Sequence, residues 1–153
     1  MDKDQVLDQL RAAKAAHISW VQKAKLLIEG FDIDKSSIPV NSTECKFGQW
    51  FYSDAQKLNA LRNNNLECMA TVEELHFKLH DDYMKIYKLY YSMDNQGFFA
   101  KLFGKKRKIT EDTTRLAKEY YSQMEGVSKK LLAEINRLER RIIAIPKEEI
   151  EEL

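Results

Sequence analysis

Glycine and proline are scarce in this chain, five and two among 153 residues, which leaves little material for tight turns and makes an all-α reading lead. Charge of one sign is missing too: 25 Lys and Arg face 24 Asp and Glu, so the net charge of +1 supplies no global field for holding nucleic acid. No long apolar run exists to cross a membrane. The opening residues, MDKDQVLDQL, are charged from the second position and lack the apolar stretch of a signal peptide, which predicts a cytoplasmic protein. Only two cysteines occur, Cys45 and Cys68, and in that compartment each reads as a ligand, a reactive thiol or a core residue before it reads as half a disulfide. Histidine is nearly as scarce, with three residues in all.

What is present is helical periodicity. Val6, Leu10, Ala13, His17, Trp20, Ala24, Leu27 and Phe31 alternate steps of four and three, the spacing of a seam on one helical face. Residues 32–43 (DIDKSSIPVNST) gather residues that break helix and predict a loop. A short second helix follows, capped by Ser42 or Thr43, with Cys45 in its first turn and Gly48, Trp50 and Phe51 beyond. A third helix carries Leu66, Met69, Glu73, His76, His80, Tyr83, Tyr87 and Tyr90 on its seam and ends at Asp94–Gly97. A fourth runs from about Thr110 to near residue 145, where Pro146 stops it. The expected architecture is an antiparallel four-helix bundle with a short second helix over residues 1–146, followed by an acidic tail at 147–153.

All three histidines fall on the predicted buried stripes. His76 and His80, four apart, stack one turn above the other, and His17 holds the equivalent place on the first helix. Burying three imidazoles without partners costs on the order of 1–3 kcal/mol each, a cost that a bound metal removes. Zinc suits three imidazoles and one thiolate in a tetrahedral site. Cys45 is the expected fourth ligand, because a helix first turn favours the thiolate, while Cys68 reads as a small core residue. Gly48, on the same face as Cys45, allows a neighbouring backbone to approach closely. Glu73 is a candidate hydrogen-bond partner for the ligands. A di-iron carboxylate site is excluded on ligand count, since Glu73-x-x-His76 has no counterpart at His17, where Lys14 stands at the matching place.

Taken together, His17-x-x-Trp20, then Cys45-Lys-Phe-Gly48-Gln-Trp50-Phe-Tyr52, then Leu75-His76-x-x-x-His80 resemble the signature of the chemoreceptor zinc-binding domain, over residues 17 to about 83. The resemblance places a zinc site on His17, Cys45, His76 and His80, with Trp20, Gly48 and Trp50 as companions. It further implies a sensory role, responding to zinc or to hypochlorous acid, in a homodimer that acts on a chemoreceptor or diguanylate cyclase partner. Four protein ligands leave no open position for a catalytic water, Phe77 stands where a metalloprotease needs glutamate, and no phosphate loop or nucleophile motif occurs, so no enzymatic activity is expected. A purely structural zinc bundle that docks a partner or membrane is the alternative. The segment Phe98–Lys108, FFAKLFGKKRK, suits contact with an anionic membrane or an acidic partner, although a solvated helix connector explains it more simply. Starting at Met1, the chain reads as a free-standing protein or an N-terminal sensor.

Overall fold

The computed structural model describes residues 1–61, 67–91 and 109–153, whose regular structure is helical, with no strand among them. Among the described residues there are five α-helices, α1 (Lys3–Ile28), α2 (Lys46–Phe51), α3 (Glu67–Tyr90), α4 (Glu111–Ala144) and α5 (Lys147–Glu151), with a 3-10 segment at Asp54–Ala60. The end of the third helix, expected at Asp94–Gly97, and the basic segment Phe98–Lys108 lie outside the described residues, as does Leu66.

Local chemistry sets the ends of the long helices. The Asp2 carboxylate accepts from the Gln5 backbone N–H (2.9 Å) and opens α1, and Thr110 does the same for α4 through the N–H of Thr113 (3.1 Å). At the other end of α1, Gly30 adopts φ +96°, its N–H reaches Leu27 O (3.1 Å), and the Phe31 N–H reaches Leu26 O (3.0 Å). This paired reversal terminates the helix with a residue that bears no Cβ penalty at positive φ. Phe31 therefore leaves the seam on which its spacing placed it and is 58% exposed.

Antiparallel pairing against α4 organises the bundle. Lys3 Nζ caps the end of α4 by donating to Ile143 O (2.8 Å) and Ile145 O (2.5 Å), while Arg11 and Lys14 both pair with Glu139. These contacts set the start of α1 beside the end of α4. On the far side Lys85 of α3 lies over the Tyr120 ring of α4, and the early α3 residue Cys68 feels Arg137 and Arg141 near the end of α4. Both α1 and α3 are thus antiparallel to α4 and parallel to each other. The return between them is made by the loop after α1, the six-residue α2 and the 3-10 segment, rather than by a long helix. Leu10 and Leu27 of α1, Val72, Leu79 and Ile86 of α3, and Leu131, Ile135, Leu138 and Ile142 of α4 form the fully buried centre.

Loop and core are joined at the end of α3. The Tyr91 hydroxyl donates to Ile33 O (2.7 Å) and Lys35 sits over the Tyr87 ring, which lays residues 32–40 along α3 and carries Pro39 to His80.

Residues 147–153, expected as an acidic tail, contain α5, whose Ile150 is completely buried against the core. Replacing Ile150 by Ala should therefore lower unfolding stability by about 2 kcal/mol or more. Denaturant midpoints compared with those of the exposed Glu149→Ala variant check this, and equal midpoints would show that α5 adds nothing.

Candidate metal centre

Four side chains from three parts of the chain converge. His17 comes from the middle of α1, Cys45 from the residue that starts α2, and His76 and His80 from successive turns of α3. One ligand atom from each lies within 4.8 Å of every other. His17 and His76 are completely buried, Cys45 is 1% exposed and His80 4%.

Each imidazole has a definite orientation. His17 Nδ1 donates to the Ala13 carbonyl one turn back (2.5 Å), and His80 Nδ1 donates to Pro39 O in the loop (2.9 Å). A neutral imidazole that donates through Nδ1 carries its lone pair on Nε2. The Nε2 atoms of both residues are buried and have no hydrogen-bond partner. His76 directs its Nε2 at the Cys45 sulfur, 3.3 Å away, and its Nδ1 is the unpartnered nitrogen. The rings meet edge to face, with centroids 4.7 Å apart for His76 and His80 and 5.1 Å for His17 and His76.

Burial keeps these rings uncharged. It lowers the pKa of His17 to about 4 and that of His76 to about 2, and it lowers His80 as well, although the Pro39 and Val40 backbone and the charge of Glu44 oppose it there. Neutral imidazole is the form that binds metal. The donor set therefore fits zinc: three uncharged nitrogens and one sulfur, enclosed, with buried lone pairs that have no partner in the protein. His17, Cys45, His76 and His80 would hold the ion, and it would supply the positive charge that stabilises the Cys45 thiolate.

That last point corrects the expectation for Cys45. The residue is the N-cap of α2 rather than a member of its first turn, and its sulfur, not Ser42 or Thr43, accepts the Gly48 N–H (3.1 Å). Burial pushes its thiol pKa up, more than the N–H groups of Gly48 and Phe47 pull it down. A six-residue helix has little dipole to add.

The close approach expected at Gly48 is present. A Cβ there would stand 1.7 Å from the Ser42 carbonyl oxygen, so only glycine lets the chain fold back and bring that carbonyl within 3.4 Å of the Cys45 sulfur. Trp20 is half-buried and meets His17 edge-on at 4.6 Å and His80 at 5.5 Å, closing one side. Trp50 contacts Phe47 (5.9 Å) rather than the imidazoles. Glu73 is exposed, outside the buried cluster. Three participants escaped the sequence reading. Ala13 O, four residues before His17, was available from helical spacing; Pro39 O and the Phe47 ring, 5.0 Å from His76, depend on how the loop folds back.

Two outcomes are expected. X-ray absorption of the zinc-loaded protein should show three nitrogens and one sulfur, and His80→Ala should abolish stoichiometric zinc binding. Gly48→Ala should destabilise the protein by roughly 1–3 kcal/mol and weaken zinc retention, because the Ser42 to Cys45 loop must move. Unchanged melting and metal content in Gly48→Ala would contradict the backbone contact.

Residues 17–87 match the family profile described as chemoreceptor zinc-binding domain, a span that contains all four clustered residues and covers somewhat under half of the chain. No curated protein and no solved structure gives a significant match.

Proposed function

We propose that this chain, whose residues 17–87 form a chemoreceptor zinc-binding domain, is a cytoplasmic sensory and regulatory module that holds one zinc ion at His17, Cys45, His76 and His80. It reports zinc or oxidant to a signalling partner in chemotaxis or cyclic-di-GMP control. The observation that carries this is the buried cluster itself, in which two imidazoles present unpartnered Nε2 atoms beside the only anion-forming ligand.

Four protein ligands leave no position for a catalytic water, which favours a regulatory over an enzymatic role. The cluster also joins three parts of the chain. His17 belongs to α1 and His76 and His80 to α3, two helices that both pack on α4, whereas Cys45 caps the six-residue α2, which packs chiefly on α1 and the 3-10 segment. Cys45 is accordingly the ligand whose loss frees an element. Hypochlorous acid takes two electrons from the Cys45 thiolate, leaves as chloride, and converts the sulfur to a sulfenic acid, a poorer ligand. Residues 44–60 then lose their metal tether and are held by their side-chain contacts alone, while the seams of α1 and α3 keep their apolar contacts. That local release is the change a partner, or the second subunit of a homodimer, would read. Among the described residues no helix is long and apolar enough to cross a membrane.

Dilute hypochlorous acid should modify Cys45 before Cys68, release zinc, and raise amide exchange across residues 44–60, with Cys45→Ser abolishing the response. Peptide mass spectrometry and hydrogen exchange check this. Cys68 oxidised first, or zinc kept after Cys45 is oxidised, would leave the ion with a structural role only.

A further inference from the structure

All four ligands are buried, so an ion needs a path to them, and the fold supplies one. A cleft of about 680 Å³ lies between α1 and the loop before α2. Its floor is the small-residue face Ala12, Ala13 and Ala16 of α1, Trp20 and Pro39 stand beside it, and Cys45 forms part of its wall. Cys45 is the inner end: its sulfur is 3.3 Å from His76 Nε2, inside the cluster that contains the unpartnered Nε2 atoms of His17 and His80. The outer lining is charged. Asp8 is exposed, and so is Glu44, next in sequence to Cys45. The Asn41 side-chain amide donates to the Glu44 carboxylate (3.0 Å) and holds it in place, and the negative charge of Glu44 reaches the His80 ring. Lys46 also borders the cleft.

We propose that this cleft is the passage by which the buried site exchanges zinc with solvent, and that Glu44 is the carboxylate that takes up the ion at its mouth. The inference rests on the zinc reading above and adds to it a residue that controls rate without being a ligand. A fixed carboxylate at the entrance raises the local cation concentration and lowers the cost of stripping water from the ion, because one oxygen ligand is in place before the first nitrogen or sulfur is reached. The alanine floor keeps the way open, since each larger side chain there would project into the cleft. Glu44 stays at the mouth and is not among the four clustered residues, so its charge acts chiefly on the rates, and its removal leaves the site able to fill to one zinc per chain.

The test uses the whole chain and the zinc ion alone. Zinc content at equilibrium is measured first for each protein, then the rate of uptake by metal-free protein and the rate of loss to a fluorescent chelator. Glu44→Gln keeps an oxygen for Asn41 and removes the charge; it should retain one zinc per chain and slow uptake roughly tenfold at low ionic strength, an effect that shrinks as salt is raised. Ala16→Phe should slow uptake and loss together with the same final occupancy. Glu119→Gln, which removes an equal charge from the exposed face of α4, should change neither. Wild-type protein that binds no zinc would overturn the metal reading itself. Normal stoichiometry with unchanged rates in both Glu44→Gln and Ala16→Phe would overturn the passage alone, as would a loss of occupancy in Glu44→Gln, which would make Glu44 a ligand rather than an entry point.

Discussion

Everything near the centre of this molecule follows from placing three imidazoles and a thiol where water cannot reach them. A buried nitrogen lone pair without a partner is costly, and here several lie within a few ångströms of one another. Apolar residues at those seam positions would have given an equally well-packed bundle without that cost. The chain instead keeps three uncharged rings and fixes two of them through backbone carbonyls. One is supplied by the same helix and the other by a loop 41 residues away in sequence. The loop must therefore lie along α3, which accounts for the clamp made by Tyr91 and Lys35.

Much of this was legible in the residues. Seam spacing identified the buried faces of α1 and α3, and every histidine proved to lie in the core, because a period of three and four has one solution on a helix. That His17, Cys45, His76 and His80 come together was readable for the same reason, helped by the small number of candidates. Where the reading departs from the structure, the cause lies beyond a periodic pattern. Phe31 continued the seam numerically, but the reversal at Gly30 ends the helix at Ile28, three residues earlier, and ranks above side-chain spacing. Cys45 took the cap from Ser42 and Thr43 because sulfur can accept a backbone N–H, and Ser42 is drawn instead to offer its carbonyl. Ile150 was hidden among glutamates, and with only Leu153 to follow it the acidic stretch is too short to show a period.

The pairing of α4 with both α1 and α3 explains how a segment as slight as α2 can hold its place. Since α1 and α3 run the same way, the chain must travel the length of the bundle between them, and it does so with few regular hydrogen bonds of its own. Its attachments are specific contacts instead: the Pro39 carbonyl on His80, the Phe47 ring against His17 and His76, and the Gly48 backbone under Ser42. The long helices supply the stability, and the return strand of chain supplies the chemistry.

The carbonyls of Ala13 and Pro39 have an effect on selectivity as well as orientation. With the His17 and His80 rings each tied at Nδ1, the cage has a set width and a set number of donors. Magnesium demands six oxygens in an octahedron, and calcium takes more, so neither the count nor the hardness of these donors suits the abundant cell cations. Among softer ions, such a cage discriminates by the shape it imposes, at a coordination number of four, where raw affinity alone would favour copper. Two backbone oxygens that would never touch an ion would thereby help decide which ions such a site can mistake for one another.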